Sequence, residues 1–90
     1  GTSLGDAYPN RSDEKTTFSF NLAGESRVRF EIFETKGQKI RILLDKTLPA
    51  GHYEIEWDNK TEAGSNVKPG VYLYRLTAGP ETQTKQLVIH

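Results

Sequence analysis

The stretch "WDNKTEAGSNVKPGVYLYRL", residues 57–76, decides how the chain is interpreted. It comprises a strand end, a polar loop rich in turn-forming residues and a second strand, with aromatic residues on both sides of the loop. In the second strand the alternation turns both tyrosines and Leu76 to one face, because the opposite facing would bury Arg75. The rings and the loop therefore either form a binding site or close a small all-β module.

The two-residue alternation of half-buried strands also runs through "TTFSFNL", "RVRFEIFE", "QKIRILLD" and "HYEIEWD". The last segment, "TQTKQLVIH", is a further strand whose three adjacent apolar residues leave its facing open, and "AYPN" adds a short edge strand ended by Pro9. Short turns and the absence of an amphipathic helix pattern predict an all-β, immunoglobulin-like antiparallel β-sandwich of about seven strands. The predicted inward positions are Phe18, Phe20, Leu22, Val28, Phe30, Ile32, Ile40, Ile42, Leu44, Tyr53, Ile55, Trp57, Tyr72, Tyr74 and Leu76.

Length and composition limit the possible functions. Ninety residues make one domain with one core, and 12 basic against 12 acidic residues argue against binding to nucleic acid or anionic membranes. The lack of cysteine excludes disulfides and thiolate chemistry. The start, "GTSLGDAYPN", lacks the layout of a signal peptide. Residues 1–6 are predicted to be a linker or a cloning remnant, and residues 7–90 the sandwich domain.

Catalytic and metal sites find little support in the sequence. His52 shares a predicted solvent face with Glu54 and Glu56, and no nucleophile, base and orienting group converge, so the chain is predicted not to be an enzyme and to need no cofactor. The 57–76 loop does hold oxygen ligands of the kind that Ca²⁺ prefers, but their spacing does not fit an EF-hand. We interpret them as turn-shaping side chains. They are Asp58, Asn59, Glu62 and Asn66.

The aromatic residues are predicted to be core rather than a stacking platform for sugar, because they share their strand faces with Ile55 and Leu76. Only Phe33 is out of phase, on the open face. Pro69 and Gly70 before Tyr72 suggest a corner in which the tyrosine hydroxyl bonds back to the main chain, although an ordinary core tyrosine fits as well.

The order of five motifs resembles a known family from about Ala7 to the end of the chain. They are "AYPN", "TTFSFNL", "VRFEIFETKGQKI", "LPAGHYEIEWDNKTEAGSNVKPGVYLYRLTAG" and "KQLVIH". They resemble the immunoglobulin-like domain named after the flagellar hook-capping protein and, more closely, its relatives at the C-termini of proteins exported by the type IX secretion system of Bacteroidetes-like bacteria. The sequence departs from that pattern at Arg11, where a second Pro is common, at Glu34 in place of Asp, and at Asn59 in place of Gly. Asn tolerates the left-handed backbone conformation better than most residues, so the turn at Asn59 stays plausible.

The resemblance implies a non-catalytic C-terminal sorting domain that directs a secreted cargo protein through the type IX secretion system to the cell surface. The implied partners are secretion-translocon components, a sortase-like peptidase that cuts in the linker before Ala7, and a cargo domain attached on the N-terminal side, with no nucleic acid and no small-molecule substrate. The implied location is the periplasm in transit to the outer membrane, then the cell surface or the exterior. The alternatives are an accessory immunoglobulin-like domain of a secreted or flagellar-hook-associated protein without an export role, and a sugar-binding appendage of a secreted hydrolase.

The last strand of such a module is expected at a sheet edge, where a receptor strand can pair with its main chain. The same residues would also suit a strand that only closes the core, and both interpretations stay open. The predicted recognition surface consists of Gly70, Val71, Tyr72, Lys85, Leu87, Val88 and Ile89.

Overall fold

Two packed antiparallel sheets make up the protein in a computed structural model that describes residues 1–10 and 14–90. This confirms the predicted all-β sandwich; Arg11, one of the departures from the family pattern, lies outside the described residues. The described residues hold no helix that could cross a membrane. The strands are β1 (Ser3–Leu4), β2 (Tyr8–Asn10), β3 (Lys15–Leu22), β4 (Ser26–Glu34), β5 (Lys39–Leu48), β6 (Gly51–Trp57), β7 (Gly70–Ala78) and β8 (Glu81–Ile89).

The first sheet is built around β3, which pairs with β6 on one side and with β1 and β2 in succession on the other. The second sheet has the order β5-β4-β7-β8. The longer strands other than β5 present alternate side chains to the space between the sheets, as the alternation in the sequence predicts.

The aromatic side chains lie between the two sheets. Trp57 and Tyr74 are fully buried, and the ring of Phe18 on β3 lies 5.0 Å from that of Phe30 and 4.8 Å from that of Tyr74. Such ring pairs contribute about 0.5–1.5 kcal/mol each beyond their buried area, and here they join one sheet to the other. The prediction that these aromatic residues belong to the core and not to a stacking platform is therefore confirmed.

Strand β5 departs from the predicted inward facing of Ile40, Ile42 and Leu44. Its pairing with β4 shifts register twice. At the first shift, Phe30 pairs with Leu44 and the next residue, Glu31, pairs with Ile42, so Leu43 has no partner in β4. As a result Ile40, Leu43 and Leu44 pack against the core, whereas Ile42 pairs with Glu31 on the outer face. The prediction for Ile42 is wrong because a β-bulge changes which residues face inward.

The first residues belong to the sandwich and are not the predicted linker. Strand β1 pairs with β3 through Ser3 with Asn21 and Leu4 with Phe20. The side chain of Leu4 is only 5% exposed and is part of the hydrophobic core. A single apolar residue between glycines has no periodicity, so the sequence pattern could not predict this strand.

Candidate recognition surface at the last strand

Strand β8 is the edge strand that the sequence predicts. Within the described residues it pairs with β7 alone, and the two strands form a hairpin. The hairpin closes through the two residues Gly79 and Pro80, and Gly79 has a φ of 58°. Glycine at the first central position with positive φ is typical of the type II′ turn, which suits the twist of antiparallel strands.

The structure separates the predicted recognition residues into two groups. Val71 and Val88 lie opposite each other on the outer face and are 44% and 50% exposed. Tyr72 and Leu87 also lie opposite each other, but both side chains are buried in the core. Neither side chain is therefore available to a partner. Gly70 and Ile89 pair at the end of the hairpin, and Lys85 forms an ion pair with Asp6.

An N-terminal segment, residues 2–7, covers the first half of β8, and sequence reasoning missed it. The side chain of Gln83 accepts a hydrogen bond from Leu4 N at 3.0 Å and donates one to Thr2 O at 2.7 Å. The side-chain amide of Gln83 thus ties the segment to β8. Lys85 lies 2.8 Å from Asp6, and the hydrogen bond and charge between them lower the pKa of Asp6 and raise that of Lys85.

Tyr74 holds the same segment from the core side. Its hydroxyl donates to Gly5 O and accepts from Ala7 N, both at 2.9 Å. Burial raises the pKa of Tyr74, so the hydroxyl stays protonated and able to donate. Gly5 also approaches β3 closely: a Cβ at this position would lie 2.3 Å from Ser19 Oγ. The segment is therefore bonded to both sheets and joins them along one side.

Two tyrosine corners end the connections that lead into β6 and β7. Tyr72 donates to Lys68 O and Tyr53 donates to Pro49 O, each over 2.6 Å and four residues upstream. In each case the glycine two residues before the tyrosine has a positive φ, 147° at Gly70 and 154° at Gly51. The corner predicted at Tyr72 is confirmed. The repeated Gly-x-Tyr spacing could have revealed the second corner in the sequence.

The oxygen-rich loop, residues 58–67, uses its polar atoms to shape and attach itself. Asp58 Oδ1 accepts from Lys60 N at 3.1 Å, Asn59 Oδ1 accepts from Thr16 Oγ1 at 2.7 Å, and Trp57 Nε1 donates to Lys60 O at 2.9 Å. Asn59 adopts the left-handed conformation with a φ of 60°, as its substitution for glycine predicts. The turn-shaping interpretation is thus confirmed for the Asp58 side chain, whereas the Asn59 side chain ties the loop to β3.

The 58–67 loop also covers the outer edge of β5. Glu62 accepts from Ile42 N through its carboxylate at 3.0 Å, and its own main-chain N donates to Ile40 O at 3.1 Å. Arg41 reaches the loop through Asp58 at 2.9 Å and Lys60 O at 3.0 Å. The loop therefore protects an edge strand by occupying its main-chain groups.

A cleft of about 880 Å³ opens at the end of the sandwich beside the last residues of β8. Its walls come from the hairpin end, from the 58–67 loop and from the beginning of the first sheet. Within the described residues the lining includes Pro9, Thr16, Asn59, Val67, Val88 and Ile89.

The outer face of the second sheet carries a buried carboxylate. The side chain of Glu31 is only 3% exposed and lies 3.0 Å from Lys39, 3.2 Å from Arg75 and 3.4 Å from Arg29. Burial alone would raise the pKa of Glu31, but the hydrogen bonds from Lys39 and Arg75 and the nearby positive charges outweigh it and lower the pKa. Arg75 also stacks 4.5 Å above the ring of Phe33, so this out-of-phase aromatic is partly covered.

His52 lies on the exposed face of β6, where its Nδ1 is 2.8 Å from Asn21 Oδ1. Glu54 and Glu56 are exposed on the same strand. In the part of the chain that the structure describes, no group of three or more His, Asp or Glu side chains could hold a metal ion.

Comparison with solved structures supports the fold. The chain is similar to dimeric latent PorU from Porphyromonas gingivalis with a TM-score of 0.73 and 21% identity, over 97% of this chain and 9% of that one. It is similar to FlgD from P. aeruginosa with a TM-score of 0.66 and 23% identity, over 97% of this chain and 63% of that one. The chain thus spans less than two thirds of either neighbour, and at these identities the likeness shows the fold alone.

Comparison at the level of sequence gives the family. No curated protein matches the chain significantly. The model of the FlgD Ig-like domain matches residues 5–81, which include all strands from β2 to β7. This match covers most of the sandwich, including both tyrosine corners and the 58–67 loop. The chain belongs to the FlgD Ig-like domain family.

Proposed function

We propose that this domain is a non-catalytic C-terminal sorting module, which directs an attached cargo protein through the type IX secretion system to the cell surface. The observation that carries the proposal is the ordered set of motifs resembling such sorting domains, folded as that resemblance implies. The likeness to only 9% of the PorU chain supports it further, because the same fold there is a small part of a much larger protein. The module acts through its exterior, since its aromatic rings fill the core.

In this proposal the cargo precedes the domain, and the domain passes through the periplasm to the outer membrane. The partners are translocon components and a sortase-like peptidase that removes the domain. Residues 2–7 are bonded to both sheets, so an extended, accessible cleavage site would lie before Thr2 and not directly before Ala7. The recognition surface is the outer part of the β7–β8 hairpin, where Val71 and Val88 are exposed.

An export assay tests the proposal. The domain is fused to the C-terminus of a periplasmic reporter and expressed in a type IX-competent bacterium and in a strain lacking that system. We expect surface display only in the competent strain. A fusion carrying Trp57→Ala, which removes a fully buried side chain and disrupts the fold, is expected to stay inside. A folded, stable fusion retained in the periplasm of the competent strain would contradict the sorting function.

An accessory domain without an export role is the second candidate, favoured by the likeness to FlgD over 63% of that chain. In that case the domain supports or spaces its neighbours in a longer polypeptide. The same assay separates the two functions, because an accessory domain leaves the location of the reporter unchanged in both strains.

A further inference from the structure

Alternate residues in the second half of β8 present their main-chain groups to the open side of the sheet. In antiparallel pairs every second residue exchanges both hydrogen bonds with its partner. Gly79 N donates to Arg27 O at 3.0 Å, so the odd-numbered residues at that end of β7 bond to β4 and the even-numbered ones to β8. Gln86 and Val88 pair with the odd-numbered β7 residues Leu73 and Val71. They therefore turn their N–H and C=O groups away from β7.

The other sheet edges in the described residues are protected. The 58–67 loop occupies main-chain groups of β5, and Pro9 interrupts the short edge strand β2. Strand β6 carries the exposed charges of Glu54 and Glu56, which discourage pairing with another strand. The first half of β8 carries the charged side chains of Glu81 and Lys85, and its Gln83 side chain is bonded to the N-terminal segment. The uncharged residues 86–89, here named the open edge, have no comparable protection.

The surroundings of the open edge define what can pair with it. On the outer face, Val71 and Val88 form an exposed apolar pair. On the other side, Val67 and Ile89 line the cleft at the end of the sandwich. Pairing over four residues alone buries much less than the roughly 1,000 Å² of a specific interface. A partner must therefore also place side chains on both faces.

We propose that an extended segment of another protein adds to β8 as a fifth strand of the second sheet. Its main chain pairs with Gln86 and Val88, one apolar side chain packs on Val71 and Val88, and the next points into the cleft. The β8 strand of a second copy fits less well, because its Leu87 is buried in its own core and cannot enter the cleft. One part of this proposal rests on the sorting function, namely that the added segment belongs to a protein of the secretion machinery.

The decisive variant is Val88→Pro, which removes an outward N–H without removing a bond to β7. Thr84→Pro is the matched control, since Thr84 has the same outward orientation in the half that carries the charged side chains of Glu81 and Lys85. Val88→Thr changes the side chain and keeps the N–H. In the export assay we expect Val88→Pro to reduce display by about tenfold or more, while both controls stay within about twofold of the unchanged domain. Equal display by a folded Val88→Pro domain would overturn the inference and leave the sorting function standing.

A second measurement is independent of secretion. The purified domain is titrated with the synthetic strand peptide Thr-Val-Thr-Val-Thr-Val at millimolar concentration, and its amide resonances are followed. We expect shifts confined to the hairpin end around Val71 and Val88, absent from the Val88→Pro domain. Shifts elsewhere, or none, would count against strand addition even if export succeeds. A concentration-dependent dimer that Val88→Pro abolishes would show a second copy on the open edge and overturn the choice of partner.

Discussion

The two tyrosine corners show how single hydroxyls fix the geometry of this fold. Each links the start of a strand to the main chain four residues upstream, across a glycine with positive φ. The corner at Tyr72 is partly buried, so its loss leaves Lys68 O without its partner in a region poorly reached by water. The corner at Tyr53 is exposed, and water can replace the lost hydroxyl.

We therefore expect Tyr72→Phe to lower the free energy of unfolding by about 1–2 kcal/mol and Tyr53→Phe by about 0.5 kcal/mol. Urea unfolding of the purified domain measures both. Tyr8→Phe is the control, because the Tyr8 side chain is 49% exposed and its hydroxyl lies 3.5 Å from Glu54. A larger loss at Tyr53 than at Tyr72 would contradict this ranking.

Glu31 makes the stability depend on pH at the acidic end. Its pKa in the folded protein is lowered from an ordinary value of 4.5, so its contribution is fully present above that pH and is lost as the pH falls through the lowered pKa. Glu31→Gln should flatten this part of the profile and reduce stability at pH 7 by about 1–3 kcal/mol, since three cations lose their shared partner. Thermal unfolding between pH 2 and pH 7 provides the comparison, with the exposed Glu34→Gln as control. A Glu31→Gln profile parallel to that of the unchanged domain would show that Glu31 titrates normally.

At the level of elements, alternation predicted β3, β4 and β7 because these strands are regular and have one face on the core. It could not predict β5, where register shifts move Leu43 inward and Ile42 outward. The bulges bring Arg41 to the 58–67 loop, and this tertiary contact is absent from the local pattern. The sequence could not show which side chains of β8 face the core, because Leu87, Val88 and Ile89 are all apolar. The register of the hairpin settles it.

The bulged register predicts losses of different size for two neighbouring substitutions. Leu43→Asn should destabilise the domain by about 1–3 kcal/mol, because it places an amide against the core without a partner. Ile42→Asn should cost less than about 1 kcal/mol, because its side chain faces outward opposite Glu31. Chemical denaturation of both variants gives the comparison. The reverse order would restore the simple alternation of β5.

For the whole molecule, the sequence predicted the sandwich and the edge position of β8, and it placed the aromatic rings in the core. It did not predict the N-terminal segment, because no local pattern marks it and its contacts with β7 and β8 join residues far apart in the chain. Tyr74 bonds to Gly5 and Ala7 across 69 and 67 residues, and Gln83 bonds to Thr2 across 81. Of the predicted recognition residues, the pattern could not separate exposed Val88 from buried Leu87, since both are apolar members of one strand.

Deletion of residues 1–6 tests whether this segment completes the domain. The deletion removes the buried Leu4 side chain, worth about 1.5–3 kcal/mol, and leaves the Tyr74 hydroxyl without its bond to Gly5 O. We expect a clearly lower urea midpoint and faster hydrogen exchange near the end of β3, where Phe20 and Asn21 pair with β1. Leu4→Ala in the full chain should reproduce most of the loss. Removal of Gly1 alone should have little effect, because Gly1 is exposed. If the deleted domain unfolds at the same midpoint as the full chain, residues 1–6 are a linker after all, and a peptidase could cut directly before Ala7.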